Sequence, residues 1–251
     1  MRLIILLFIF NISLAFAEGE SGFKRACTSV MEYFLGHTYS AIAAKDLDLI
    51  IKNREEAYDA QEFLAPFKGQ TFFSSNHQYI LQKRIGHSSN DVYFAKSEKA
   101  LEVAIKTQAV IENLWVYSVM HYEKEVTRFY QLKKLPIAQI LDLHYDKNRP
   151  FYVVEYIRGV SLKGMKNYSQ FFPEKRVALL EKELSETMGQ FRKAHQFFAA
   201  YLKQKKIDLK SYASNDPAYK NAIEHLILEG DIREDQFLYN FEQSRWICID
   251  P

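Results

Sequence analysis

The chain has 251 residues, of which 48% are hydrophobic and 15% aromatic, with only 9 Gly and 6 Pro. This composition supports a sizeable core and excludes a chain made mainly of disordered tracts. Its 33 Lys and Arg are interspersed with 31 Asp and Glu, for a net charge of +2. So balanced a charge argues against nucleic acid as the main partner.

The N-terminus has the features of a secretory signal peptide over residues 1–17. Arg2 supplies the positive charge, Leu3 to Leu14 form an apolar run, and Ala15-Phe16-Ala17 fits the cleavage site. A membrane anchor is the alternative, but the run is shorter than the ~20 residues that span a bilayer. We therefore expect an exported protein, periplasmic or secreted, with no membrane span after cleavage; delivery to a host cell or a secretory lumen is a further alternative.

Residues 18–76 show a helical pattern, predicted as an extension that packs against the domain after it. Its second helix is expected to end near Ala65-Pro66, because proline disfavours helix in the residue before it. Cys27 lies in this extension and Cys248 near the other end of the chain. A disulfide between them is permitted outside the cytosol, and the sequence leaves that pairing open.

After residue 76 the periodicity changes from helical to strand-like. The pattern predicts three strands, then a helix, then two more strands: Tyr79–Ile85, Asp91–Ala95, Leu101–Thr107, the helix Val116–Lys134, Ala138–Tyr145 and Phe151–Tyr156. Mainly helical segments follow at Leu162–Met165 and Pro173–Gln204. His195 is expected to be a hydrogen-bonded core residue. Two paired strands, Phe237–Tyr239 and Arg245–Ile249, complete the prediction.

Several motifs stand in a fixed order along this pattern. Val103-Ala104-Ile105-Lys106 is a strand that ends in a lysine, Gly86-His87-Ser88-Ser89-Asn90 is a loop before it, and Glu229-Gly230-Asp231-Ile232 precedes Asp250 by about twenty residues. Together they resemble the protein-kinase-like superfamily, most closely its aminoglycoside and choline phosphotransferase branch, over residues 78 to 251. Typical members continue well beyond the second aspartate, so the resemblance is to a minimal form.

The resemblance implies an α+β, two-lobed fold. Residues 77–157 would form a five-stranded N-lobe with one helix and the hinge, and residues 158–251 a truncated, mainly helical C-lobe. Lys106 would bind the nucleotide phosphates. Gly86, Ser88, Ser89 and Asn90 would form the loop over them, although the same residues suit an ordinary hairpin turn. Glu155 to Ile157 would form the hinge where adenine pairs with backbone groups.

A carboxylate on the helix is expected to pair with Lys106. Glu125 shares an apolar stripe with Tyr122 and Phe129, and a charge buried without a partner is costly. Glu125 is therefore preferred, with Glu123 as the competitor.

The final motif fits two registers. Asp231 precedes Asp250 by 19 residues, close to the family spacing, whereas Asp235 precedes it by only 15. Asp231 is therefore preferred as the catalytic residue that takes the proton of the accepting hydroxyl. Asp250 would then hold the metal, and Gln236 would occupy the position of the family's metal-binding asparagine, with one methylene more.

The function implied is an ATP-dependent phosphotransferase that uses Mg²⁺ or Mn²⁺. The acceptor would be a hydroxyl of a protein or a small molecule. Gln236 in place of asparagine leaves two alternatives open: an exported pseudokinase that binds a partner or nucleotide without catalysis, and a degenerate fragment without activity.

Overall fold

The computed structural model describes residues 49–51, 69–74, 77–87, 91–107, 113–145, 150–169, 171–213 and 217–251. The predicted signal peptide, Cys27 and the expected helix end at residues 65–66 lie outside these ranges, as does most of the predicted extension. The described chain is of the mixed α+β class.

An antiparallel sheet of six strands forms the first part. Its spatial order is β1-β2-β3-β4-β6-β5, with strands β1 Thr71–Phe73, β2 Gln78–His87, β3 Asp91–Ser97, β4 Glu102–Thr107, β5 Ile140–His144 and β6 Phe151–Glu155. The alternation of apolar and polar residues located five of these strands to within a few residues.

Strand β1 corrects the predicted helical extension, which was wrong at residues 71–73. Its sequence is Thr-Phe-Phe, residue types that favour strands, and Phe72 pairs in register with Tyr79 of β2. Phe72 is buried, with its ring 5.0 Å from that of Phe151. This contact across the sheet holds a strand too short to show a period of its own.

The sheet curls until strands that are not neighbours touch. The Tyr79 hydroxyl of β2 donates to Asp142 Oδ2 of β5 at 3.1 Å, and the ring contact from Phe72 joins β1 to β6. Such curling accumulates from the twist of each strand. Inside the curl lies one apolar core: Phe72, Tyr79, Leu81, Tyr93, Ala95, Val103, Ile105, Phe151 and Val153.

Helix α1, Asn113–Leu132, lies against the opposite face of the sheet. Met120 of this helix packs against Ala104, Tyr152 and Val154 of strands β4 and β6. Its other side meets the helical part of the chain, where the Phe129 ring lies 5.2 Å from the ring of Tyr201. Helix α1 is thus clamped between the sheet and the helices.

The helical part contains α2 Leu162–Asn167, α3 Glu174–His195, α4 Phe198–Lys205, a 3-10 turn Leu209–Tyr212 and α5 Pro217–Glu229. The helical segments predicted over Pro173–Gln204 are the two helices α3 and α4. His195 is buried; its Nε2 donates to Leu226 O at 3.0 Å and its Nδ1 accepts from the Tyr130 hydroxyl at 2.7 Å. The prediction of a hydrogen-bonded core histidine is confirmed.

A second, three-stranded antiparallel sheet follows, in the order β7 Gly159–Val160, β8 Phe237–Asn240 and β9 Arg245–Cys248. The predicted pairing of the last two strands is confirmed. Strand β9 also joins the segment after α1, because Cys248 N donates to Pro136 O at 2.9 Å and Ala138 N donates to Cys248 O at 2.8 Å. The β8–β9 hairpin is thereby attached to the end of helix α1.

Candidate functional site

Lys106 is the centre of a buried cluster of charged side chains. It lies on β4 in register with Val92 of β3 and Tyr152 of β6, so its side chain leaves the sheet on the face that carries α1. Its Nζ is 2.6 Å from Asp250 Oδ1 and 3.8 Å from Glu123 Oε2, and lies over the Tyr152 ring at 5.3 Å. We call Lys106, Glu123 and Asp250 the lysine cluster.

Glu123, and not Glu125, supplies the helix carboxylate of this cluster, so the preference for Glu125 is wrong. Residues two apart on a helix point in different directions, and only one of these two glutamates can face the sheet. Glu125 is buried on the side of α1 that faces α4, where it interacts with the Tyr201 hydroxyl. Packing of α1 between two partners decides which carboxylate faces Lys106.

The electrostatics of the cluster follow from burial and from its two carboxylates. Burial lowers the pKa of Lys106, but Asp250 and Glu123 outweigh this effect, so its pKa is raised and the ammonium stays charged. Burial raises the pKa of Glu123 to about 7, with Lys106 opposing and Asp250 adding to the shift. Burial and these two carboxylates also raise the pKa of the Tyr152 hydroxyl well above its usual value.

Asp250 reaches the cluster because it directly follows the β8–β9 hairpin. Strand β9 is buried from Trp246 to Cys248, and the Trp246 indole donates to Leu180 O of α3 at 2.9 Å. Asp250 itself is one-third exposed at its side chain. Burial raises the pKa of the Cys248 thiol to about 12, so Cys248 is a protonated free thiol in the wall of the site.

Asp231 lies on the loop between α5 and β8. Gly230 has a φ of +69°, a conformation that favours glycine, and a Cβ there would come within 3.1 Å of the His195 ring. Arg192 donates to Ile232 O at 3.1 Å and holds the loop from the other side. The backbone around Asp231 is thus fixed by α3.

The Asp231 carboxylate has two partners of its own loop. Gln236 Nε2 donates to Oδ2 at 3.2 Å, and Arg233 Nε lies 3.2 Å from Oδ1. The Asp231 side chain remains 42% exposed, which leaves room for a further contact. Arg233 was not singled out from the sequence, where its only signal is its place two residues after Asp231.

Asp231 is linked to the backbone beside the lysine cluster through Gln236. Gln236 Nε2 donates to Asp231 Oδ2 at 3.2 Å, and Gln236 O accepts from Ile249 N at 2.8 Å, one residue before Asp250. Burial raises the pKa of the nearby Tyr122 hydroxyl well above its usual value, with further contributions from Tyr130, Glu123 and Asp231. Lys106 and Asp250 thus meet directly, Glu123 takes the place of Glu125, and Asp231 is connected to the same hairpin.

The predicted nucleotide-binding residues are placed in part. Gly86 lies near the end of β2, opposite Val92, beside an irregularity in the β2–β3 pairing. Ser88, Ser89 and Asn90 lie outside the described residues. At the predicted hinge, Glu155 N donates to Gln139 O at 2.8 Å, and Ile157 is buried against Leu238 and Ile247 of the hairpin: the hinge segment touches the strands that carry Asp250.

Within the described ranges, His, Cys, Asp and Glu side chains form no group of three or more arranged to hold a metal ion. None of the described helices combines the length and the apolar character needed to cross a membrane. No known protein-family model matches the chain, and neither does any curated protein.

Proposed function

We propose that the chain is an ATP-dependent phosphotransferase with a kinase-like, two-lobed fold. The observation that carries this proposal is the lysine cluster, in which Lys106 Nζ lies 2.6 Å from Asp250 and 3.8 Å from Glu123. The three residues come from the sheet, the hairpin and helix α1. Residues separated by as many as 144 positions therefore meet around one ammonium group.

The order of the elements supports the same proposal. The strands of a curled antiparallel sheet are interrupted by one long helix, and the helices that follow precede a hairpin flanked by two aspartates. In kinase-like enzymes this order places the phosphate-binding lysine, its glutamate partner, the catalytic aspartate and the metal-binding aspartate around one cleft. Here Lys106, Glu123, Asp231 and Asp250 occur in that sequence.

The cluster suits a nucleotide triphosphate and a divalent cation. ATP with Mg²⁺ or Mn²⁺ supplies the phosphoryl group and neutralises its charge. The accessible carboxylate of Asp250 is a hard oxygen donor of the type these cations prefer, and would hold the cation. The charged Lys106 would bind phosphate oxygens, with Glu123 keeping the ammonium in place. Adenine would lie against the hinge at Glu155 to Ile157.

Asp231 would orient the accepting hydroxyl and take its proton. Its side chain is 42% exposed, so an acceptor hydroxyl could reach the carboxylate from solution. The acceptor is a hydroxyl of a small molecule or a protein, consistent with the resemblance to the small-molecule phosphotransferases.

A pseudokinase is the second candidate, and one observation favours it. Gln236 Oε1 accepts the Arg233 backbone N–H, and the Arg233 side chain lies on Asp231. The Gln236 amide oxygen and the Asp231 carboxylate, which would take part in the reaction, therefore already have partners within the loop. In this alternative the chain binds nucleotide or a partner without transferring phosphate.

The decisive experiment compares two aspartates of the same loop. Asp231→Asn is expected to lower phosphoryl transfer from γ-labelled ATP by about 10²–10⁴-fold, the usual contribution of a positioned base. Asp235→Asn is the matched control, because Asp235 also lies near Arg233 but is 73% exposed. The control should transfer phosphate at the wild-type rate, and both variants should melt at the wild-type temperature.

Three results would change this assignment. If Mg-ATP and Mn-ATP neither shift the melting temperature nor yield labelled product, the enzyme proposal fails. A shift without product would favour the pseudokinase. Loss of transfer in Asp235→Asn alone would move the catalytic role to the other register.

A further inference from the structure

Gln236 uses both ends of its side-chain amide inside the protein. Its Oε1 accepts a hydrogen bond from Arg233 N at 2.9 Å, and its Nε2 donates to Asp231 Oδ2 at 3.2 Å. The side chain is buried, with the residue 4% exposed. The amide thus closes the 3-10 turn 234–236 and holds the Asp231 carboxylate at the same time.

The backbone of Gln236 is attached to the other aspartate. Gln236 O accepts from Ile249 N at 2.8 Å, one residue before Asp250. The next residue, Phe237, pairs in register with Cys248. A single residue therefore contacts the Asp231 side chain on one side and the backbone beside Asp250 on the other.

We propose that Gln236 is a positioning residue that fixes Asp231 relative to Asp250, and that it is not a ligand of the divalent cation. This inference rests on the proposed function and refines its site. An amide oxygen that bound the cation would need to share or leave the Arg233 N–H, and removing a hydrogen-bond partner from a partly buried donor is unfavourable. The extra methylene of glutamine over asparagine gives the reach that this bridge needs.

The resemblance to kinase-like enzymes predicts the opposite, that Gln236 binds the cation, because the family has a metal-binding amide at this position. In that expectation, Gln236→Asn would restore the family's usual residue and would keep or increase phosphoryl transfer. If Gln236 bridges Arg233 and Asp231, the shorter asparagine cannot reach both groups. We then expect Gln236→Asn to lower kcat by about a hundredfold, the effect of a misplaced catalytic group, with KM for ATP unchanged.

Gln236→Glu separates the two roles while the turn is kept. The carboxylate has nearly the same shape and still accepts from Arg233 N, but in its ionised form, at pH well above neutral, it cannot donate to Asp231. The measurement is the affinity for Mn²⁺ alone, by electron paramagnetic resonance, in wild type and variant. Gln243→Glu is the matched control, since it adds the same charge to the exposed turn of the β8–β9 hairpin.

Gln236→Glu is expected to bind Mn²⁺ as the Gln243→Glu control does, within about threefold, with kcat reduced. A metal ligand changed from amide to carboxylate would instead bind Mn²⁺ at least about tenfold more tightly than that control, because hard cations prefer carboxylates. That result would overturn the inference, and so would full activity in Gln236→Asn.

A third measurement does not depend on catalysis. The side-chain NH₂ resonances of Gln236, assigned by their loss in Gln236→Glu, should shift in Asp231→Asn and stay in place in Asp235→Asn. If wild type transfers no phosphate but this pattern appears, the proposed function fails and the positioning contact stands. If Asp231→Asn leaves the resonances unshifted, the inference fails whatever the activity.

Discussion

Two buried ion pairs lie on opposite faces of the same sheet, and they differ in what surrounds them. Arg84 of β2 and Asp91 of β3 meet at 2.8 Å, and both side chains are only 1% exposed; we call them the sealed pair. Arg84 is in register with Tyr93, on the face that forms the enclosed core. The lysine cluster lies on the other face, where Asp250 reaches solvent.

The sealed pair has the features of a structural ion pair, whereas the lysine cluster has two features that a binding site requires. The sealed pair joins neighbouring strands, has one charge of each sign and offers no accessible atom. The lysine cluster joins three elements that are distant in sequence. It places two carboxylates beside one ammonium group, and the carboxylate of Asp250 is accessible to solvent. A cation from solution could therefore meet the Asp250 carboxylate. Burial alone does not distinguish the sealed pair from the lysine cluster, because both contain charged side chains that are almost fully buried.

Arg84→Met should have the largest effect on stability. It leaves the Asp91 carboxylate buried without its guanidinium, which typically costs about 3–5 kcal/mol. Urea unfolding measures the loss, and Arg84→Met/Asp91→Leu should recover most of it, since well-packed apolar residues often replace a buried pair without penalty. A single variant as stable as wild type would show that the pair is not needed for stability.

Lys106→Met should lower activity strongly and stability less than Arg84→Met does. Phosphoryl transfer is expected to fall by about a hundredfold or more, because the phosphates lose a charge-assisted contact. The free energy of unfolding should change less than in Arg84→Met, since Asp250 reaches water and Glu123 can bind a proton. If Lys106→Met unfolds the chain as readily as Arg84→Met does, the lysine cluster is structural too.

Glu123 should make stability depend on pH. Its pKa rises from 4.5 to about 7 on folding, so the native state keeps a proton that the unfolded chain loses between these values. The free energy of unfolding should therefore fall as pH rises through this range, on the order of 3 kcal/mol in total. Unfolding at pH 5 and pH 8 should reveal this slope in wild type, and Glu123→Gln should lack this contribution. An identical slope in both proteins would exclude Glu123 as its source.

Lys166→Met should have the smallest effect. Lys166 and Glu181 meet at 2.9 Å, as close as the sealed pair, but their side chains are 48% and 51% exposed. Exposed pairs contribute roughly 0–1 kcal/mol. A loss as large as that in Arg84→Met would mean that distance, rather than burial, determines the effect.

Local patterns in the sequence located most of the strands and the long helix, because alternation and helical spacing are properties of the segments themselves. These patterns gave the wrong result where the structure of a segment depends on contacts with a distant part of the chain. Glu123 and Glu125 both lie on apolar stripes, and the choice between them depends on α1 meeting the sheet on one side and Tyr201 on the other. Strand β1 was missed because three residues carry no period, and its contacts come from Phe151, far along the chain.

For the candidate site, the sequence likewise predicted positions along the chain but not the contacts made there. Lys106 and Asp250 were found by motif and spacing, and the structure joins them. The use of the Gln236 amide was not predictable, since spacing specifies a position but not the hydrogen bonds made there.

The hydrogen bonds that join β9 to the segment after α1 determine which parts of the lysine cluster can move together. Cys248 bonds through its N–H to Pro136 and through its carbonyl to Ala138, so the backbone beside Asp250 and the end of the helix that carries Glu123 form one ladder. Amides in one ladder open together, and those of Ala138 and Cys248 should exchange with deuterium at matched rates. The two carboxylates that flank Lys106 would then move as one body, and any separation of this body from strand β4 would displace the lysine relative to both.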